Sequence, residues 1–144
     1  MRKQRTGTGM ILRSAWFLNG CLFNSEVSTG YLPQDLHALE VIDHQIMRLI
    51  TGAQAKAPTE MLYLETAKFP LFDVISVRRL FYFHAILNRP VSKLIRQVYD
   101  AMKDDPFRGD WVNLIKKDLE CIGMKPDCDV EILMILKEEF KNLF

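Results

Sequence analysis

Pro33-Gln34-Asp35-Leu36-His37-Ala38-Leu39-Glu40-Val41-Ile42-Asp43-His44-Gln45-Ile46-Met47-Arg48-Leu49-Ile50-Thr51-Gly52 is the stretch whose reading decides the fold. Proline stands where a first helical residue belongs, because its missing N–H is one that a helix start leaves without a partner anyway. Asp35 places a carboxylate in the first turn, where the helix dipole favours it. Leu36, Leu39, Ile42, Ile46, Leu49 and Ile50 then recur at three-four spacing, and Gly52 supplies a C-terminal stop. The stretch predicts one long amphipathic helix with those six side chains as its apolar stripe.

The same signals recur outward from it. Residues 1–9 read as a disordered basic lead-in, with Gly7 and Gly9 among small polar and basic residues. From Met10 to Phe23, the residues Ile11, Leu12, Ala15, Trp16, Leu18 and Leu22 fall largely on one helical face. Pro58 opens a shorter helical piece through Leu64. Pro70 opens a longer one that carries Leu71, Val74, Ile75, Val77, Phe81, Tyr82, Ala85 and Ile86 to Asn88-Arg89-Pro90. Ser92 is placed to cap a helix with Leu94, Ile95, Val98 and Met102 as its stripe. Asp104 to Gly109 reads as a turn, Asp110 as the cap of a helix over Trp111 to Ile122, and Gly123 as its stop. Residues 124–144 read as a C-terminal helix with Ile132, Leu133, Leu136, Phe140 and Leu143. No alternating strand run bounded by hairpin turns and no internal repeat is found. The expected fold is all-α, an irregular bundle of about six or seven helices in which 10–123 form the main helical region.

Composition narrows the class. Of 144 residues 49% are hydrophobic, with 7 Gly and 6 Pro, so a packed core is within reach. A net charge of +1 gives no global argument for nucleic acid. Its distribution is uneven, since Arg78, Arg79, Arg89, Lys93, Arg96, Lys103, Arg108, Lys116 and Lys117 face only Asp100, Asp104, Asp105 and Asp110 over the same stretch. That asymmetry fits a basic face on a neutral protein. Cys21, Cys121 and Cys128 are an odd set with no close pair, which fits a reducing compartment rather than a disulfide framework. The apolar run after the basic start is interrupted by Arg13, Ser14, Asn19 and Asn24, too polar for a secretion signal and too short for a membrane span. The expectation is an intracellular protein, of nucleus or cytoplasm, without a membrane segment.

Polymerase chemistry needs carboxylates converging on paired metal ions. The nearest sequence, Met102-Lys103-Asp104-Asp105, lacks a preceding aromatic and runs into Pro106, which would interrupt a hairpin ladder. Zinc needs close Cys/His spacing, absent around Cys121 and Cys128, and His37 and His44 are two helical turns apart, roughly 10 Å. No phosphate loop is present, as Gly7-Thr8-Gly9 lacks the flanking strand and lysine. No catalytic residue, metal, cofactor or small-molecule substrate is expected. Arg78-Arg79 carries the functional interest. One reading is a phosphate clamp, since guanidinium forks suit phosphate oxygens. The other is an ion pair with a neighbouring helix through Glu40, Asp43 or Glu65. Lys93, Arg96, Lys116 and Lys117 extend the candidate set if they share a face with Arg78.

An ordered set of short motifs carries a family resemblance. Asn19-Gly20-Cys21-Leu22-Phe23-Asn24-Ser25-Glu26 comes first, then Leu39-Glu40-Val41-Ile42-Asp43 and Pro58-Thr59-Glu60-Met61-Leu62-Tyr63-Leu64-Glu65. Arg78-Arg79-Leu80-Phe81-Tyr82-Phe83-His84-Ala85-Ile86-Leu87 and Gly109-Asp110-Trp111 follow. From Arg13 to Gly123 the chain resembles the segment after the catalytic palm in reverse transcriptases of non-LTR (LINE-type) retrotransposons. Two positions depart from that pattern: Ala67 stands where the family has glycine, and Phe72 where an arginine often sits. The resemblance implies a piece of a larger RNA-directed DNA polymerase, a helical thumb and linker that lies on the template–primer duplex beside the palm. It implies an RNA–DNA hybrid or RNA as partner, through Arg78, Arg79, Lys93, Arg96, Lys116 and Lys117, and no chemistry of the chain's own. A domesticated protein-interaction module and an inert fragment are the alternatives.

Overall fold

The computed structural model describes residues 2–28, 33–103 and 110–123, and every element in them is helical. In chain order these are α1 (Arg2–Leu12), a π-helical turn (Arg13–Leu18), α2 (Asn19–Cys21), α3 (Pro33–Thr51), α4 (Thr59–Thr66), α5 (Leu71–Leu87), α6 (Leu94–Lys103) and α7 (Asp110–Cys121). The fold is all-α, as the periodicity predicts. The turn expected at Asp104–Gly109 and the helix expected over 124–144 lie outside the described residues. The chain divides into two units, and the division falls inside α5, between Val74 and Ile75.

The first unit holds α1 to α4 and the start of α5. Residues 2–9 are a correction to the sequence reading: they are the body of α1 rather than a disordered lead-in. Gly9 is what lets α1 lie close to α3. A Cβ at that position would sit 2.8 Å from Ile50 Cγ2, against a β-branched side chain with little freedom to move.

After Leu12 the helix widens into six π-helical residues. A π turn takes in about one residue more than an α turn and so re-aims every side chain beyond it. The buried set becomes Met10, Arg13, Leu18 and Leu22, while Ile11, Leu12 and Trp16 face solvent. A three-four reading could not find that face, because the period itself changes.

α3 runs as the sequence predicts, from Pro33 to Gly52, whose φ of +71° is the left-handed stop. Its face is different from the one expected. Asp43 and Met47 are the wholly buried residues of α3, whereas Leu49 is 84% exposed and Ile42 44%. α4 packs on α3 and buries Leu62, and Leu71 and Val74 of the same unit are buried as well. Arg48 Nη2 reaches over to the Ala57 carbonyl at 3.1 Å and ties down the connection between the two helices.

The second unit is built on α5 from Ile75 onward, with α6 and α7. Leu80, Phe83, Ile86, Trp111, Val112, Ile115 and Leu119 make its core, flanked by Tyr82, Leu87, Ile95, Tyr99 and Met102. Phe83 meets Tyr99 at 5.4 Å between ring centroids, and Tyr82 meets Trp111 edge-on at 6.0 Å. Trp111 is the anchor its sequence context predicts, and its Nε1–H donates to the Glu26 carbonyl at 2.8 Å. That carbonyl is presented by a turn in which Asn24 takes φ +57°, a conformation asparagine tolerates better than most residues. Gly123, at φ +74°, closes α7 as expected. Ser92 does not cap α6 directly, since the helix begins two residues later at Leu94.

Ala67 ends α4 in the left-handed region, at φ +50° and ψ +42°, with its N–H on the Tyr63 carbonyl. A Cβ there costs about 1–2 kcal/mol, and glycine's looser unfolded chain returns about 0.4–1 kcal/mol of that. Ala67→Gly is therefore expected to stabilise the protein by about 0.5–1 kcal/mol. Equilibrium urea unfolding measures it, and a destabilised variant would mean that the left-handed turn is not populated.

Candidate nucleic-acid interface

The two arginines at the centre of the candidate set sit on α5, where successive positions diverge by about 100°. Arg79 points into the second unit and is 5% exposed, whereas Arg78 is half-buried and has an interaction of its own within the fold. Arg79 Nη1 donates to Asp118 Oδ2 on α7 at 2.8 Å, with both side chains 7% exposed. Its Nε has no acceptor among the described residues. Arg79 thus takes the structural role left open by the sequence, with Asp118 as partner in place of Glu40, Asp43 or Glu65. It drops out of the phosphate-binding set, because a guanidinium sealed against a buried carboxylate cannot reach a duplex.

Arg96 is also engaged. Its Nη1 donates to the Leu87 carbonyl at 2.9 Å, its Nε lies 3.3 Å from Asp100 Oδ2, and its guanidinium carbon stands 5.7 Å from the Tyr99 ring centre. These contacts pin the start of α6 to the end of α5, and they make Arg96 a poor phosphate ligand. Lys93, Lys116 and Lys117 are exposed. The two α7 lysines fall opposite its buried residues Trp111, Val112, Ile115, Asp118 and Leu119. Of the six candidates, these three lysines keep their ammonium groups in water.

Burial holds the Asp118 carboxyl above the ordinary carboxylate range, and the Arg79 guanidinium pulls it back down. The pair is therefore worth little as a pair and a great deal as two halves that cannot be separated.

Sequence reading missed a second polar centre, in the first unit. Arg13 and Asp43 are each 1% exposed in their side chains and meet fork to fork. Nε donates to Oδ1 at 2.5 Å and Nη2 donates to Oδ2. Next along α3, His44 Nε2 lies 2.5 Å from the Tyr63 hydroxyl of α4, the rings meeting edge-on at 5.5 Å. Burial lowers the His44 pKa below 6.5, against the opposing pull of Asp43 and Glu40. Burial, with Asp43 and Glu40 adding to it, pushes the Tyr63 hydroxyl up to about 12. A neutral His44 accepting the Tyr63 proton satisfies both shifts. The signal for this centre was present, as Arg13 breaks an apolar run and Asp43 sits in an apolar helix. Neither residue identifies the other across 30 positions.

Among the described residues no group of three or more His, Cys, Asp or Glu side chains is placed to hold a metal ion. None of the helices searched is long and apolar enough to cross a membrane.

Two outcomes follow from this geometry. Arg79→Met strands the Asp118 carboxylate and is expected to cost about 3–5 kcal/mol, whereas Arg79→Met/Asp118→Leu together recover most of it. A double-mutant cycle by urea unfolding checks this, and additive losses would break the pairing. For His44, the folded protein resists a proton that the unfolded chain takes up near pH 6.5. Stability is therefore full above that pH and falls as pH drops through it toward the folded pKa. By NMR the His44 ring should titrate below 6.5, and Tyr63→Phe should move the midpoint upward. An unmoved midpoint would mean that the hydroxyl does not favour the neutral ring.

Comparison with protein-family models, with curated proteins and with solved structures gives no match to this chain.

Proposed function

We propose that this chain is a helical, thumb-like element of the non-LTR reverse-transcriptase kind, which rests on the backbone of an RNA–DNA hybrid and leaves polymer chemistry to a separate palm. The ordered motif set from Asn19 to Trp111 carries the reading. One structural observation supports it: the family has glycine where this chain has Ala67, and the backbone there is left-handed. Glycine takes that conformation without penalty, so the departure is one of residue type and not of backbone path.

The basic face in this reading is narrower than the sequence suggests. Lys93, Lys116 and Lys117 supply the phosphate contacts, with Arg78 at the margin, while Arg79 and Arg96 shape the scaffold that presents them. Lysines of this kind act as mobile point charges and read no sequence. Binding is then weak, indifferent to sequence and sensitive to salt.

Three phosphate contacts give a slope of log K against log salt of roughly −2 to −3. Fluorescence anisotropy with a labelled RNA–DNA hybrid measures that slope. Lys93→Ala, Lys116→Ala and Lys117→Ala should each flatten it by somewhat under about one unit. Arg79→Ala should instead lower the thermal midpoint, with the slope kept by whatever fraction stays folded. No binding at low salt by the folded wild-type chain rejects the reading.

A further inference from the structure

Along the helical run from α1 through the π-helical turn to α2, exposed positions come in pairs four residues apart. They are Gly7 and Thr8, Ile11 and Leu12, Ala15 and Trp16, Asn19 and Gly20. A step of four overshoots an α turn by about 40° and falls short of a π turn, so the change of helix type offsets the drift. One edge of the run therefore stays in water from Gly7 to Gly20. Its middle is apolar, with Ile11 68%, Leu12 51% and Trp16 80% exposed. Leu12 and Trp16 also line an open apolar groove, and Leu49, 84% exposed, lines it from α3. All of these residues belong to the first unit.

Two properties say what this edge meets. The first is shape. Side chains this exposed stand proud of the helix as a ridge, which a fluid lipid layer admits without a matching cleft. The indole is suited to such a layer, since tryptophan is enriched at the boundary between lipid and water.

The second is charge. Residues 1–25 and 44–59, which hold the helical run and the second half of α3, contain Arg2, Lys3, Arg5, Arg13, Arg48 and Lys56 and no aspartate or glutamate. Arg13 is paired with Asp43, and the other five leave these two segments basic in a chain of net charge +1. Arg2, Lys3 and Arg5 open α1, with no acidic residue in its first turn. A helix dipole disfavours cations there, so these residues work against their own helix. A local rule broken without a gain in folding is the mark of a binding surface. Anionic headgroups supply the missing complement.

We propose that this edge lies on an anionic membrane surface, with Ile11, Leu12, Trp16 and Leu49 at the acyl boundary and the basic start of α1 on the headgroup phosphates. The helical run lies on the bilayer and does not cross it, in keeping with the lack of a spanning helix among those searched. The inference stands apart from the hybrid-binding reading, because Lys93, Lys116 and Lys117 belong to the second unit.

Flotation of the full chain with two sets of vesicles tests it, one of phosphatidylcholine and one carrying roughly 30% phosphatidylserine. Binding to the charged set should exceed binding to the neutral set by at least about fivefold, the effect of one basic residue near the surface. Tryptophan emission should shift to the blue on binding, mainly from Trp16, since Trp111 is already 8% exposed. Trp16→Gln and Leu49→Gln, both at exposed positions, should each weaken binding by about tenfold or more and keep the wild-type circular dichroism and thermal midpoint. Replacing Arg2, Lys3 and Arg5 together by glutamine should remove most of the preference for charged vesicles. Leu64→Gln, 78% exposed on α4, and Lys116→Ala/Lys117→Ala should leave vesicle binding unchanged. No flotation of the folded wild-type chain with the charged set, equal binding to both sets, binding that survives Trp16→Gln, or equal weakening by Leu64→Gln would each overturn the proposal. Lipid-free self-association that Trp16→Gln abolishes would overturn it too, and would give the edge to a protein partner.

Discussion

The fork-to-fork pair of Arg13 and Asp43 is the constraint on which the first unit depends. Two charges with 1% exposed side chains are stable together and prohibitive apart, since an unpaired buried ion costs several kcal/mol. Neither helix can rotate without separating them. The π-helical turn begins at Arg13 itself, and the wider turn carries the residues after it onto a different face. On α3, Asp43 and Met47 follow the pair inward, and Ile42 and Leu49 are left outside. His44, one position along from Asp43, is carried to the edge of α4, where Tyr63 meets it.

The second unit repeats the device with Arg79 and Asp118, with less complete satisfaction. In both units an arginine is the residue committed to the interior, as suits its planar fork and weak hydration. Arg79 and Arg96 are withdrawn into the scaffold, so under the proposed reading contact with a polyanion would fall to lysines on α7 and before α6.

The two units thus present different surfaces. The second offers exposed ammonium groups over a tightly aromatic core. The first offers an apolar groove over a buried ion pair.

The existence and the ends of α3 and α7 were legible in the sequence, because they are set by local chemistry. Pro33 and Asp35 start α3, Gly52 and Gly123 stop α3 and α7 at positive φ, and Trp111 behind Asp110 anchors a helix, all from signals within a few residues of one another. The exposure of Lys116 and Lys117 was legible for the same reason, both lying off the apolar stripe of α7. Helix facing was not. Arg13 reads as an interruption until Asp43, 30 residues away, is known to take it, and Arg79 reads as a phosphate ligand until Asp118, 39 residues away, is seen beneath it. A buried charge is decided by its partner, and only the tertiary structure brings the partners together. The sequence by itself determined where α3 and α7 start and stop; the packing decided which side of each is in water.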